Sequence, residues 1–302
     1  MNAPGKAPWL EARERGSRVA MRFMKWLALT CGRSAARLVL YPICAYFLLF
    51  SPRARRASRE YLGLALGRRA GPGDLWRHFF SFIATTLDRI YFLAGQFDRF
   101  EIDVKGLEEL RRILARGRGC LLIGAHLGSF ELLRNLSTTF ETPVNAVMYE
   151  LNAANVTGVL NTLNPEIRSR TIVPGEVDAV LRIGECLARG ELVALLGDRW
   201  TGSEKTVACR FLGRPAEFPR GPLLLAQSLR VPAMLFVGLY EGGARYGVRF
   251  EAFCDEHAGD RATRDAWVRE SAQRYAERLE HFCRLAPYNW FNFYDFWSRP
   301  AG

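Results

Sequence analysis

Short apolar runs that alternate with helical patterns constrain the fold of this chain more than any other feature of its sequence. Cys120–Gly124, Leu192–Leu196 and Val231–Tyr240 have the length and composition of buried strands. Segments with helical periodicity lie between them, for example Val177–Arg189. Strands that are apolar throughout and separated by helices are typical of parallel sheets buried on both faces. The pattern therefore predicts an α/β fold with a mainly parallel central sheet flanked by helices.

The same periodicities predict the remaining elements. Helical patterns cover residues 61–100, Leu107–Arg116, Ser129–Asn135, Asn152–Leu163, Pro222–Leu229 and Arg261–Arg284, and further extended segments lie at Val144–Tyr149, Thr171–Val173 and Tyr246–Phe253. The last of these follows the pair Gly242–Gly243, so we expect it to form a hairpin with Val231–Tyr240.

The basic charge of the chain is concentrated at its N-terminus. The formal net charge is +11, and residues 1–60 contain twelve Lys or Arg but only three Asp or Glu. Within this segment Leu38–Phe50 is uncharged, and Arg53, Arg55 and Arg56 follow it. We predict a basic N-terminal helical membrane-associating segment at 1–60 and an α/β domain at 61–302.

The apolar run is too short for a standard transmembrane helix. A span needs about 20 apolar residues, and extending Leu38–Phe50 toward the N-terminus would bury Arg33 and Arg37 at a high energetic cost. The sequence favours an interfacial or re-entrant anchor whose cations meet anionic headgroups. The alternative is a helical hairpin buried against the main domain. No nucleic-acid-binding pattern is visible, so no nucleic-acid partner is expected.

The seven cysteines are scattered and include no closely spaced pair. This distribution is typical of reduced thiols in a cytosol-facing protein, and it predicts neither a structural metal site nor a metal cofactor.

The candidate chemistry follows the first buried strand. His126 lies two residues after that strand, and Glu131 follows five residues later. If His126 lies on the strand-to-helix turn and Glu131 in the first helical turn, the two side chains can converge. A carboxylate on one ring nitrogen would fix the tautomer and leave the other nitrogen free to take a proton from a hydroxyl. The alternative is a histidine that caps the helix beside a solvated glutamate.

Three blocks of sequence carry a family resemblance. HLGSFE (126–131) resembles the His-x4-Asp/Glu motif of the lysophospholipid acyltransferase superfamily, and GDRW (197–200) and FLGRPAEFPRGPLLLAQSLRVPAMLF (211–236) are similar to later blocks of its lipid A late acyltransferase (lauroyl/myristoyl transferase) branch. The likeness covers roughly residues 25–300. One departure is Glu150, which stands where that branch usually has an arginine. It leaves the identity of the acceptor open.

The resemblance implies an O-acyltransferase that moves a fatty acyl chain from acyl carrier protein or acyl-CoA to a hydroxyl of a lipid or glycolipid, at the cytoplasmic face of the bacterial inner membrane. No cofactor is implied. In this hypothesis His126 is the general base and Glu131 orients it. Backbone N–H groups at Ser129 and the guanidinium of Arg199 are candidate donors to the oxyanion. Asp198 holds Arg199 or contacts the acceptor.

The third block contains the other candidate substrate-binding residues. Phe218, Arg220 and Gly221 resemble the part of the superfamily that contacts the head group of the substrate. The alternative for this segment is an ordinary strand-to-helix turn with a solvated Arg220.

Two other classes of function remain open. The glycine-containing stretch around His126, together with Glu150 after the next strand, resembles a nucleotide loop, which would suit an S-adenosylmethionine-dependent methyltransferase. A catalytically inactive, membrane lipid-binding homologue with the same fold is the second alternative, and the unusual Glu150 is its best support.

Overall fold

The computed structural model describes residues 18–133, 142–148, 170–200, 204–255 and 261–297. Its strands are, in chain order, β1 (Glu101–Lys105), β2 (Cys120–Gly124), β3 (Val144–Val147), β4 (Thr171–Ile172), β5 (Leu192–Leu196), β6 (Thr206–Phe211), β7 (Arg214–Pro219), β8 (Ala233–Gly242) and β9 (Arg245–Cys254). Seven of these form one sheet in the order β1-β9-β8-β2-β5-β3-β4. All its pairings are parallel except that of β8 with β9. The predicted α/β fold, with its antiparallel hairpin, is confirmed.

Helices cover both faces of this sheet. The α-helices of the described residues are α1 (Arg18–Phe50), α2 (Pro52–Leu66), α3 (Pro72–Leu93), α4 (Leu107–Leu114), α5 (Ala179–Ala188), α6 (Gly221–Leu229) and α7 (Arg261–Leu285). In β2, Leu121 and Ile123 pack into one hydrophobic cluster with α2, α5, α6 and α7. Cys120 and Leu122 pack into a second cluster with α1, α3 and α4. The two-sided burial explains why the sequence of this strand is apolar throughout.

Helix α1 is attached to the α/β unit by its two central arginines. Its two helical segments meet at Gly32, whose backbone has φ 84° and ψ 170°, a conformation that glycine adopts without steric cost. Both oxygens of the buried Asp88 carboxylate on α3 accept hydrogen bonds from Arg33, at 2.7 and 2.8 Å. Arg37 donates to the hydroxyl of Tyr240 at 3.1 Å. Among the described helices, residues 20–50 of α1 alone are long and apolar enough to cross a membrane by length and composition.

Several elements differ from the sequence-based expectations. The described part of the predicted helix at Ser129–Asn135 is a single 3-10 turn, Phe130–Leu132. The predicted helix at Asn152–Leu163 and the unusual Glu150 lie outside the described residues. Strands β1, β6 and β7 were not predicted. Helix α2 runs across residue 60, and the predicted division of the chain at that point stays a prediction.

Candidate active site

Two loops meet at the carboxyl edge of the sheet. Strands β2 and β5 are parallel neighbours, and their last residues, Gly124 and Leu196, pair with each other. His126 and Asp198 each lie two residues beyond these ends, so the sheet brings them together. This edge is where ligands bind in open α/β sheets.

The loop that carries His126 packs tightly on β8. Gly128 has φ 69°, and a Cβ atom at this position would lie only 1.9 Å from the carbonyl oxygen of Gly238. In the other direction, a Cβ on Gly238 would lie 2.4 Å from the carbonyl oxygen of Ser129. Two glycines therefore permit the close approach that fixes the position of the His126 loop.

The imidazole of His126 is held by Asp198. Nδ1 lies 2.8 Å from Oδ1 of Asp198, and the backbone N–H of His126 donates to Oδ2 at 3.1 Å. Asp198 is fully buried, whereas the His126 side chain is 33% exposed. Since the carboxylate accepts at Nδ1, the proton of the neutral ring lies on that nitrogen. Nε2 makes no hydrogen bond within the described ranges, and its lone pair is free to accept a proton.

Local charges favour an ionised Asp198 and a neutral His126. Burial opposes ionisation of Asp198, but the charge and hydrogen bond of His126, the charge of Arg199 and a hydrogen bond from Trp290 together hold the pKa of Asp198 well below its usual range. Burial is also the largest influence on His126 and lowers its pKa. The charge of Arg199 lowers this pKa further, and Asp198 only partly opposes the shift. An imidazole that is neutral near pH 7 suits a general base.

Arg199 lies beside this pair and is anchored by the C-terminal segment. Its Nη2 donates to the backbone carbonyl of Phe291 at 2.8 Å, and its guanidinium lies 5.4 Å from the ring centroid of Tyr294. Among the described residues, this is the one hydrogen bond that the guanidinium makes, so its other N–H groups can serve a substrate. A fixed guanidinium is the kind of group that can donate to a developing negative charge, and this role of Arg199 stays a prediction.

Glu131 does not make the predicted contact with His126. Its Oε1 accepts a hydrogen bond from Nε of Arg89 on α3 at 2.7 Å and forms an ion pair with Nη2 of the same guanidinium, also at 2.7 Å. The side chain of Glu131 is only 8% exposed, and this ion pair offsets the cost of burying its charge. The carboxylate on the imidazole is that of Asp198, so the expected role of Glu131 as the orienting group is corrected.

Ser129 is also placed differently from the prediction. Its backbone N–H donates to the carbonyl of Gly238 at 2.7 Å, and the N–H of Gly128 donates to the carbonyl of Asn289 at 2.8 Å. Both groups are already used within the fold, so neither can stabilise an oxyanion. Ser129 has an extended backbone, with φ −117° and ψ 115°, and precedes a 3-10 turn instead of opening a helix.

Of the three residues predicted to contact the head group, Phe218 is buried, Arg220 is partly exposed and Gly221 is exposed. Phe218 is 1% exposed and packs edge-on against Tyr275, with 5.8 Å between ring centroids. Arg220 pairs with Asp265, and Gly221 begins α6. A small apolar pocket adjoins this region and the loop after β5, and its lining residues are Ile123, Gly197, Phe218, Pro219, Pro222, Leu223, Ala272 and Tyr275. The lining includes Gly197, next to Asp198, but it includes neither Asp198 nor His126.

Two side-chain contacts of the site were not predicted from the sequence. Trp290 donates its indole N–H to Oδ2 of Asp198 at 2.9 Å, and Arg89 holds Glu131. Neither belongs to a recognisable motif, and both are far along the chain from their partners. Within the described ranges, no group of three His, Cys, Asp or Glu side chains has the arrangement of a metal site.

Comparison with known proteins identifies the family. The sequence model of the family described as "Bacterial lipid A biosynthesis acyltransferase" matches residues 30–299. Among solved structures, the chain is similar to the 1-acyl-sn-glycerophosphate (LPA) acyltransferase PlsC from Thermotoga maritima, with 16% identity and a TM-score of 0.36 over 80% of this chain and 97% of that chain. No curated protein matches the sequence. The family match spans every residue of the site described above.

Proposed function

The chain belongs to the family of bacterial lipid A biosynthesis acyltransferases, and from this premise we propose that it transfers a fatty acyl group from an acyl thioester to a hydroxyl of a lipid or glycolipid. The observation that carries the proposal is the pairing of a buried carboxylate with a partly exposed imidazole, Asp198 with His126. The pairing leaves a basic nitrogen at the carboxyl edge of the sheet. The family match gives no corresponding support to the methyltransferase alternative.

His126 is the general base in this proposal. Nε2 takes the proton of the acceptor hydroxyl while the hydroxyl oxygen attacks the thioester carbonyl carbon, so a C–O bond begins to form. Collapse of the tetrahedral intermediate breaks the C–S bond, and the departing sulfur takes the same proton back from the imidazolium. Protons and electrons balance without a covalent enzyme intermediate, so no cysteine nucleophile is required.

Asp198 stabilises the charged form of His126 during this cycle. Its carboxylate fixes Nδ1 as the protonated nitrogen, keeps Nε2 facing the substrate and lies 2.8 Å from the positive charge that develops on the ring. Burial of the ion pair strengthens the attraction because little water screens it. Glu131 contributes indirectly, because its pairing with Arg89 ties the loop after β2 to α3.

Arg199 stabilises the oxyanion of the tetrahedral intermediate. It directly follows Asp198 in the chain, and Phe291 and Tyr294 hold its guanidinium in place. A fixed cation beside the reacting carbonyl stabilises negative charge without reorganising at the moment of reaction. The donor is acyl carrier protein or acyl-CoA in this proposal, since both carry the acyl chain as a thioester.

Helix α1 brings this site to the cytoplasmic face of the inner membrane. Its large exposed apolar side chains are Phe23, Trp26, Leu29, Leu38, Tyr41, Tyr46, Leu49 and Phe50. One face of the helix is bonded to the α/β unit through Arg33 and Arg37, so we propose that the opposite face enters the lipid and that α1 lies in the interface. A lipid acceptor then reaches the site without leaving the membrane surface.

The proposed function is tested with the purified full chain in lipid-containing micelles. We expect acyl transfer from acyl carrier protein or acyl-CoA to a membrane-lipid extract, and its loss on His126→Ala with folding retained. Comparing the lipids of producing and deletion cells by mass spectrometry identifies the acceptor as the acylated species that disappears. Wild-type turnover by the His126→Ala variant would refute the mechanism. An unchanged lipid profile together with no transfer from either donor would favour the inactive, lipid-binding alternative.

A further inference from the structure

We propose that Trp290 is a positioning residue for the active site, and that its indole N–H fixes Asp198 in the orientation that holds His126. This inference deepens the proposed function and rests on it. Trp290 is far from the motif residues in sequence, and the function described above does not use it. Its Nε1 lies 2.9 Å from Oδ2 of Asp198, and both side chains are buried.

Within the described part of the chain, three groups donate hydrogen bonds to the Asp198 carboxylate, and the indole N–H of Trp290 is one of them. Oδ1 accepts from the imidazole of His126 at 2.8 Å, while Oδ2 accepts from the backbone N–H of His126 at 3.1 Å and from Trp290. With Oδ2 held from two sides, rotation of the carboxylate would break two hydrogen bonds. Oδ1 is therefore kept facing the imidazole.

Trp290 is itself held firmly. It is 1% exposed, and its indole packs edge-on against Tyr61 and Phe211, with 4.9 and 5.2 Å between ring centroids. Its backbone carbonyl accepts a hydrogen bond from Nε2 of the buried His78 at 2.8 Å. A donor whose ring and backbone are both fixed can impose a direction on its acceptor.

The backbone around Trp290 is joined to the same site. The N–H of Phe291 donates to the carbonyl of His126 at 2.9 Å, and the carbonyl of Phe291 accepts from Arg199. On the other side, the side-chain amide of Asn289 makes two hydrogen bonds to the backbone of Tyr240 on β8, at 2.7 and 3.0 Å. Residues 289–291 thus connect His126, Asp198 and Arg199 to the sheet.

Loss of the indole N–H has a defined electrostatic consequence. Without this donor, the negative charge of Asp198 is shared with fewer partners and attracts the proton of the imidazolium more strongly. His126 then stays protonated to higher pH, and a protonated ring cannot act as the base. A purely structural role for Trp290 would lower the amount of folded enzyme without moving the pH at which activity is lost.

The test compares Trp290→Phe with Trp297→Phe. Trp297 packs against Trp290 and Phe211, but its buried indole N–H has no hydrogen-bond partner among the residues that the structure describes, so the control removes the same atoms without removing one of these hydrogen bonds. For Trp290→Phe we expect kcat to fall about tenfold, KM for donor and acceptor to stay within about twofold, and the acidic limb of kcat/KM to move up by about one pH unit. Trp297→Phe is expected to match the wild type in all three.

Two further measurements keep the inference decidable. If Trp290→Phe folds poorly, benzothienylalanine at position 290 replaces the N–H by sulfur with little change in shape, and the same shifts are expected. NMR titration of 15N-labelled histidine reads the His126 ring directly, without any turnover. An unchanged His126 titration in the benzothienylalanine protein, or equal behaviour of the two phenylalanine variants, overturns the inference. If the wild type transfers no acyl group, the proposed function fails, while the titration still decides the role of Trp290.

Discussion

The carboxylate of Glu131 is paired with the guanidinium of Arg89 on α3, at 2.7 Å, and not with the imidazole five residues before it. The sequence motif places the histidine and the glutamate near each other along the chain, but each takes its partner from elsewhere. Asp198 holds the imidazole of His126, and Glu131 joins the loop after β2 to α3. The carboxylates of Asp198 and Glu131 therefore have different proposed roles, and mutations at each position can distinguish these roles.

Removing Arg89 is expected to destabilise the fold. Arg89→Ala leaves the buried carboxylate of Glu131 without this cation, and because Arg89 is itself 27% exposed we expect a cost of about 2 kcal/mol, below the range for a fully buried pair. Thermal unfolding in detergent measures it as a Tm lower by a few degrees. Arg112→Ala is the control, since its pair with Glu109 is exposed and contributes little. Equal Tm values for the two variants would contradict the assignment.

Neutralising the two carboxylates is expected to affect turnover unequally. Asp198→Asn removes the charge that stabilises the imidazolium and the acceptor that fixes its tautomer, so we expect kcat to fall by about 100-fold or more. Glu131→Gln retains an oxygen for Arg89 and leaves the imidazole contact intact, so a loss below about tenfold is expected. Initial rates at saturating donor decide the order. A larger loss for Glu131→Gln would restore glutamate as the partner of the base.

The wholly apolar strands were predictable because burial on both faces requires a continuous run of apolar residues, which is easy to recognise in the sequence. The hairpin of β6 and β7 was not, because its strands show neither a continuous apolar run nor a clean alternation of polar and apolar residues, and β7 contains Pro215 and Pro219. Proline is unfavourable inside a sheet and normally argues against a strand. Here the hairpin lies outside the main sheet, where the missing N–H groups are tolerated.

The candidate base was predictable, but its partner was not. A histidine just beyond a buried strand lies at the edge of the sheet where ligands bind, and this placement can be inferred from a single sequence. Asp198 follows its own strand at the same offset, yet the contact depends on β2 and β5 being neighbours. Strand order is set by packing between distant segments. For the same reason no local pattern marks Trp290 as the donor to Asp198.

The pH dependence of activity should reveal the effect of the Arg199 charge on the pKa of His126. Burial and the charge of Arg199 lower the pKa of His126, so the base stays neutral to lower pH than an ordinary histidine and kcat/KM should fall only below about pH 6.5. Arg199→Gln removes one lowering influence. The pKa of His126 then rises, and the acidic limb of the profile moves to higher pH. Profiles of kcat/KM for both proteins test this shift.

The magnitude of kcat separates the two roles of Arg199. If the guanidinium also stabilises the oxyanion, Arg199→Gln lowers kcat even at alkaline pH, where the base is fully neutral, by about 100-fold. The control is Arg116→Gln, which replaces an exposed arginine after α4. It should change neither the acidic limb of the kcat/KM profile nor kcat at alkaline pH. If Arg199→Gln shifts the acidic limb of the pH profile but leaves kcat at alkaline pH unchanged, Arg199 lowers the pKa of His126 and does not stabilise the oxyanion.

Buried His78 should make stability fall in mild acid. Burial, only partly opposed by the hydrogen bond to the Trp290 carbonyl, lowers the pKa of His78 to about 4. The unfolded chain, with a histidine pKa of about 6.5, binds more protons between these values, so the free energy of unfolding decreases as pH falls from about 6.5 to 4. Between pH 7 and 5 the loss is about 2 kcal/mol. We expect the free energy of unfolding of His78→Gln to differ less between pH 7 and pH 5 than that of the wild type. The control variant His281→Gln, which replaces an exposed histidine, should show the same difference as the wild type.

Membrane attachment should depend on the exposed aromatic side chains of α1. Phe23 and Trp26 are 50% and 54% exposed, and transfer of their apolar surface into lipid is expected to strengthen binding. Replacing both by serine should weaken binding to vesicles of phosphatidylethanolamine and phosphatidylglycerol by about tenfold or more, as measured by flotation. Leu285→Ser is the matched control, because Leu285 is 62% exposed but lies at the end of α7.

Since Arg33 and Arg37 are untouched, α1 should stay bonded to the α/β unit, and turnover on detergent-dispersed acceptor should remain near wild type. Equal binding losses for the double variant and for Leu285→Ser would show that general surface apolarity, and not α1, attaches the protein.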